Sequence, residues 1–195
     1  MQSLSFKQRV LNTIVSCAQD FKSVFLDFEY LIYSDKFSIE PYYIISSTAT
    51  NYKHLTGVNS NIAPYEFFEM CLNGTITEND FDFAKLGQAE SSVKGAVRQK
   101  IIALPLMSTL LLGKLTAEEN YVQGRINCSL ATTDNKITIG FENRTYARPK
   151  TLLKGNELNQ SKIVDVTLVL RRNKGVDKFD RIIQGDIAEI LSDIR

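Results

Sequence analysis

The sequence is poor in the residues that build metal centres and disulfide frameworks. It has one histidine, His54, and three cysteines, an odd number without a C-x-x-C pair. This cysteine usage argues against a disulfide scaffold and indicates free thiols in a reducing compartment, so we expect a cytoplasmic protein. A single imidazole and scattered carboxylates give no spacing typical of a metal site. We therefore expect folding without disulfides, metal or cofactor.

The sequence also lacks an excess of charge of one sign and any long hydrophobic run. Its 23 Lys and Arg residues balance 22 Asp and Glu residues, for a net charge of +1. A phosphate-binding surface would therefore have to be a local patch. The longest apolar stretch, residues 101–112, is interrupted by Pro105 and is too short to span a bilayer. The N-terminal apolar residues recur at helical spacing, unlike those of a signal peptide. We expect no membrane association.

Missing motifs remove several enzyme classes from consideration. There is no Walker loop, no G-x-G-x-x-G and no G-x-S-x-G. The chain has 195 residues, 44% hydrophobic and 23% charged, which is typical of a globular protein of one domain. Without repeats or linkers, we expect one domain over residues 1–195. Its expected parts are an N-terminal helix over 1–20, a core over 21–185 and a tail over 186–195.

The pattern of apolar residues predicts both helices and strands. Helices are predicted over residues 4–20, 63–72 and 91–104, with a helical turn over 187–191. Strands are predicted over 24–33, 37–46, 125–132, 136–142, 163–171 and 179–183. Residues 47–62 are expected to be irregular, and residues 143–155 to be a basic segment between strands. This mixture predicts an α+β fold in which the two hairpins and the 163–171 strand share one twisted antiparallel sheet.

His54 is the first candidate for a chemical role. It lies in the polar segment Lys53-His54-Leu55-Thr56-Gly57, which we expect to be a loop after the first hairpin. An imidazole that titrates near neutrality can act as a general acid or base. The alternative is a surface histidine held by ordinary hydrogen bonds.

The second candidate is a basic segment between strands. It contains four cations, Arg144, Arg148, Lys150 and Lys154. Such a cluster can hold a phosphate by charge-assisted hydrogen bonds, and Tyr146 among them could stack on a base. Lys53, beside His54, and Lys94 and Arg98, one helical turn apart, could add phosphate contacts. The alternative for all of these cations is a solvated surface.

Several short segments, in their order and separation, resemble one nuclease family. These segments are Lys53-His54-Leu55-Thr56-Gly57-Val58, Phe67-Phe68, Cys71-Leu72-Asn73-Gly74, Val97-Arg98-Gln99-Lys100 and Tyr146-Ala147-Arg148-Pro149-Lys150-Thr151-Leu152-Leu153. Over about residues 20–185 the chain resembles the fourth family of predicted phage and mobile-element ribonucleases in the Barnase–EndoU–colicin–RelE-like group. The resemblance implies N-terminal helices and a helical insertion packed on a twisted antiparallel sheet.

The resemblance also implies metal-independent RNA cleavage on the open face of the sheet. It implies site roles for His54 and, in decreasing order, for Thr56, Arg148, Lys150 and Thr151. The implied partners are an RNA such as a tRNA or mRNA and a protein inhibitor or immunity partner. Two alternatives stay open, a non-catalytic nuclease-derived binding module and a structural or adaptor protein. A cleft that contains both His54 and Arg148 would favour the enzyme.

Overall fold

The computed structural model describes residues 3–187, with helices mostly in the first half and strands mostly in the second. The helices are α1 (Phe6–Phe21), α2 (Ala49–Thr56), α3 (Pro64–Leu72), α4 (Glu90–Ala103) and α5 (Met107–Leu110). The strands are β1 (Phe28–Tyr33), β2 (Tyr43–Ile45), β3 (Thr116–Gln123), β4 (Ile126–Thr133), β5 (Ile137–Asn143), β6 (Ala147–Lys154), β7 (Val164–Asp165), β8 (Leu168–Asn173) and β9 (Arg181–Gln184). The α+β prediction is confirmed. The helical turn predicted over 187–191 lies, except for its first residue, outside the described residues.

Local hydrogen bonds explain where the helices begin. Ser5 caps α1, since its Oγ accepts from Gln8 N at 3.1 Å while Gln8 Oε1 accepts from Ser5 N at 2.9 Å. The prediction that residues 47–62 are irregular is wrong, because α2 occupies half of them. Asn51 Oδ1 accepts from the backbone N of Thr48 at 2.8 Å, and Gly57, at φ 77°, ends the helix in the left-handed conformation.

The first hairpin is shorter than the sequence predicts. Residues Lys22–Leu26 form a π-helical turn that continues α1, so β1 begins only at Phe28. Its partner β2 has three residues and follows an irregular segment that contains Pro41. The two strands still pair antiparallel, with Tyr30 opposite Ile45.

The nine strands within residues 3–187 belong to one sheet in the order β7-β3-β4-β5-β6-β2-β1-β8-β9. The prediction that both hairpins and the 163–171 region share a sheet is confirmed. The predicted sheet was wholly antiparallel, whereas β2 and β6 pair in parallel. The region predicted as one central strand divides into β7, which pairs with β3, and β8, which pairs with β1. Because only two residues separate β7 from β8, the sheet must curl until β3 and β1 approach each other.

Hydrogen bonds across this curl hold the two sides of the sheet together. Val166 N donates to Leu115 O at 3.1 Å, and Thr167 N donates to Tyr33 O at 3.0 Å. The carboxylate of Glu119 on β3 accepts from the backbone N–H groups of residues 38–40 at 2.7–3.2 Å and from Tyr43 Oη at 2.7 Å. Glu119 therefore joins β3 to the β1–β2 connection.

The main core lies between the helices and the sheet. Its fully buried side chains include Ile14, Phe67, Val97, Phe141 and Leu152. A smaller, separate cluster consists of Tyr121, Cys128, Ala131 and Leu158. All three cysteines are free and buried. Within residues 3–187, no helix is both long enough and apolar enough to cross a membrane.

Candidate functional site

The site is built along an edge of β6 that, within residues 3–187, pairs with a neighbouring strand at one residue only. On one side β6 pairs with β5 over its whole length, but on the other side β2 meets it only at Ala147, opposite Ile45. Beyond that point, in the described part of the chain, α2 and α4 pack against the edge. Asn51 of α2 donates its side-chain amide to the Pro149 carbonyl at 3.1 Å, taking the place of a strand partner.

A cleft of about 660 Å³ opens between α2 and the first half of β6. It is lined by Thr50, Asn51 and His54 of α2, by Glu142 and Arg144 at the end of β5, and by Arg148, Pro149 and Lys150 of β6. Thr50 and His54 are four residues apart, so both lie on the helix face that borders the cleft. The His54 side chain is exposed on the last turn of α2.

A β-bulge interrupts β6 where two of its cations line the cleft. Gly140 pairs with Thr151 and Phe141 pairs with Pro149, which leaves Lys150 as the extra residue of β6. Bulges of this kind re-aim side chains and are frequent next to active sites. Lys150 Nζ reaches across β5 and donates to the carbonyl of Asn127 on β4 at 2.9 Å.

The cleft has an excess of positive charge. Glu142 Oε1 lies 3.9 Å from Arg144 Nη2 and 3.9 Å from Lys150 Nζ, and the three side chains are 46%, 76% and 43% exposed. Exposed ion pairs at this distance are weak, so both cations can leave Glu142 to bind another anion. Together with Arg148, the cleft contains three cations and one carboxylate, an arrangement that attracts a phosphate.

The structure brings four of the predicted site residues into this cleft. They are His54, Arg144, Arg148 and Lys150. Two features of their surroundings differ from the prediction: His54 is on a helix and not in a loop, and the basic segment is largely the strand β6. The observation that favours the enzyme, a shared cleft for His54 and Arg148, is present.

Four other predicted residues do not line the cleft. Thr56 is buried, and its Oγ1 donates to the backbone carbonyl of Lys53 at 2.7 Å. Lys53 Nζ donates to Ser60 O at 2.6 Å, which holds the loop after α2, and desolvation lowers the pKa of Lys53. Thr151 is buried beside β5, and Tyr146 is half-buried just before β6. The roles predicted for these residues stay predictions.

The remaining predicted cations lie on other surfaces. Lys94 Nζ forms an ion pair with Glu90 at 2.7 Å, and the Arg98 guanidinium lies over the Phe6 ring at 5.3 Å from its centroid. Neither lines the cleft. Lys154 is exposed at the end of β6 and lines a neighbouring, smaller cleft.

Sequence reasoning assigned no role to two charged residues of this region. Glu142 lies opposite Arg148 in the β5–β6 register, so the pairing of the two strands was the signal that could have found it. Lys100 of α4 donates from Nζ to the His54 carbonyl at 3.3 Å. Burial, aided by the charge of Lys85, lowers the pKa of Lys100 to about 8. Between residues 3 and 187, no group of three or more His, Cys, Asp or Glu side chains is placed to hold a metal ion.

Comparison with protein families identifies one match. The model of the family described as phage-Barnase-EndoU-ColicinE5/D-RelE like nuclease 4 matches residues 13–188. Comparison with curated proteins gives no match, and comparison with solved structures gives none. Since the match covers nearly the whole chain, and since the fold is the mixed α+β arrangement expected for such nucleases, the chain belongs to the phage-Barnase-EndoU-ColicinE5/D-RelE-like nuclease family 4.

Proposed function

We propose that this protein is an endoribonuclease that cleaves RNA by attack of a ribose 2′-OH on the adjacent phosphate. The observation that carries the proposal is the single cleft in which His54 faces Arg144, Arg148 and Lys150. An imidazole beside several cations supplies both the proton transfer and the charge stabilisation that phosphodiester cleavage requires.

The reaction needs one group to accept a proton and one to donate a proton. Glu142, a carboxylate beside two cations, is suited to accept the 2′-OH proton. The 2′-oxygen then attacks phosphorus, and the bond to the 5′-oxygen breaks with protonation by the His54 imidazolium. The products end in a 2′,3′-cyclic phosphate and a 5′-OH. Because the nucleophile belongs to the substrate, the mechanism requires neither a metal nor an enzyme nucleophile.

Arg148 and Lys150 are the residues we assign to the phosphate. Their charges would stabilise the additional negative charge of the pentacoordinate phosphorus, with Arg148 able to bind two oxygens at once. Lys150 is suited to this role because it lines the cleft and its Nζ lies 3.9 Å from Glu142 Oε1.

The family's phage association supports a biological context of phage or mobile-element conflict. In that context a cytoplasmic RNA such as a tRNA or mRNA is the substrate, and a protein inhibitor or immunity partner protects the host cell. A non-catalytic, nuclease-derived module that binds nucleic acid or protein is the second candidate. It is favoured by the burial of Thr56 and Thr151, which the resemblance assigns to the site.

Cleavage in excess chelator tests the proposal. We expect products with 2′,3′-cyclic phosphate ends, and we expect His54→Ala and Glu142→Gln each to slow cleavage by about 10²–10⁴, the usual effect of losing a positioned acid or base. Lys94→Ala, which pairs with Glu90 and does not line the cleft, is the matched control and should cleave at the wild-type rate.

Two results would separate the candidates. RNA binding that depends on Arg148 without cleavage of a broad pool of cellular RNA would favour the non-catalytic module. Cleavage that survives both substitutions would remove the pair from the mechanism.

A further inference from the structure

A second, smaller cleft of about 280 Å³ lies further along the same edge of β6. Its polar lining is formed by Gln99 and Lys100 of α4, Gln123 of β3, Lys154 of β6 and Glu157. Nothing in the proposed reaction uses this cleft, so its charges and hydrogen-bonding groups need a separate explanation.

The two clefts follow one another along β6. Residues 148–150 of the strand line the first cleft, and residues 152–154 line the second. Lys100, which lines the second cleft, hydrogen-bonds the backbone of His54, which lines the first. At about 3.3 Å per residue, Arg148 and Lys154 are roughly 20 Å apart along the strand. A linear ligand that occupies the first cleft would therefore reach the second.

The second cleft offers separate groups for a phosphate and for a base. Within residues 3–187, no carboxylate forms an ion pair with Lys100 or Lys154, so both cations are available to a phosphate. Gln123 donates its side-chain amide to Glu157, and the pair forms a polar wall. Amide and carboxylate groups of this kind hydrogen-bond the exposed edges of unpaired bases.

We infer that the two clefts form one groove for single-stranded RNA, with the scissile phosphate in the first and a flanking nucleotide in the second. The flanking phosphate binds between Lys100 and Lys154, and its base faces Gln123 and Glu157. A charged groove that follows one backbone, with polar groups for splayed bases, is the usual form of single-strand recognition. The inference rests on the proposed function, because it takes the first cleft as the cleavage site.

Salt titrations of RNA binding test the inference. The probes are a fluorescent dinucleotide, which has one internal phosphate, and an octanucleotide, both 2′-O-methylated so that the wild-type chain cannot cleave them. For single strands, each lost phosphate contact reduces the slope of log K against log salt by about 0.7. With the octanucleotide, we expect this reduction for Lys154→Ala, and also for Lys100→Met. With the dinucleotide, neither substitution should change the slope.

Two further variants make the result decisive. Arg148→Ala should reduce the slope for both probes, and Lys94→Ala, which pairs with Glu90 and lines neither cleft, should reduce it for neither. If Arg148→Ala weakens binding while Lys154→Ala and Lys100→Met leave the octanucleotide slope unchanged, the flanking site is refuted and the proposed function stands. If the wild-type chain binds neither probe, the proposed function fails and the inference with it.

Discussion

Lys100 is expected to destabilise the fold at neutral pH, and Lys100→Met measures by how much. Burial and the neighbouring charge of Lys85 lower its pKa from 10.5 to about 8. At 1.36 kcal/mol for each pKa unit, a charged Lys100 costs at most roughly 3 kcal/mol. Between pH 8 and 10.5 the unfolded chain holds this proton and the folded chain does not, so the free energy of unfolding rises with pH across that window. Lys100→Met should remove both the cost and the rise.

Urea unfolding of wild type and variant at pH 7 and pH 10 checks this reasoning. We expect the variant to be more stable by about 1–3 kcal/mol at pH 7 and the difference to narrow at pH 10. The groups around Lys100, namely Lys85, His54, Lys154 and Glu157, are the same in both proteins, so the difference isolates Lys100. Lys94→Met, on the same helix, controls for the added apolar side chain. A less stable variant at pH 7, or a difference that is equal at both pH values, would refute the argument.

Two further predictions concern the framework of the site. A Cβ at Gly140 would lie 2.5 Å from Cys128 Sγ and 2.9 Å from Thr151 Cγ2. Gly140→Ala should therefore lower the free energy of unfolding by about 1–3 kcal/mol and, by shifting the bulge, weaken RNA binding. An unchanged melting temperature would contradict this prediction. Burial raises the pKa of Glu119, but hydrogen bonds from the 38–40 backbone and from Tyr43 outweigh burial, so the net pKa is lowered from 4.5. The stability that this shift contributes is present above pH 4.5 and is lost as the pH falls below 4.5. Glu119→Gln should cost about 2–4 kcal/mol at pH 7 and reduce the acid sensitivity seen in urea unfolding at pH 3; equal losses at both pH values would contradict it.

The strands differ in how far the sequence could predict them. The β4–β5 hairpin was predictable because apolar residues alternate on both sides of a turn that contains Asn135, a residue at φ 72°. Strand β6 was not predictable from the sequence, because a proline such as Pro149 argues against a paired strand. The structure explains the exception. The Pro149 carbonyl faces the open edge, where Asn51 reaches it, so the missing N–H would have faced the same edge.

The site could be predicted only in part. The identity of His54, Arg148 and Lys150 as candidates came from residue type and resemblance, but the apolar face of α2 is short, with Tyr52 and Leu55 as its buried hydrophobic residues, so the helix was not predicted. The position of Lys100 relative to β6 depends on how α4 is rotated about its axis. At 3.6 residues per turn it lies about 200° around the helix from Arg98, so one residue faces β6 while the other lies over Phe6. The burial of Val93 and Val97 sets that rotation, and the sequence alone does not show which flank of this apolar face lies beside β6.

The position of the site follows from the way the sheet is paired. A strand edge without a partner exposes backbone groups that must be satisfied or covered, or they invite association. In this chain β2 pairs with β6 at one residue, and α2 and α4 cover the rest of the edge. Helices cannot follow a strand edge as closely as another strand does, so clefts remain between them. His54 and Lys100 are on the two covering helices, and Arg148 and Lys150 are on the covered strand. The incomplete pairing of β6 therefore produces both the groove and the arrangement of charged residues along it.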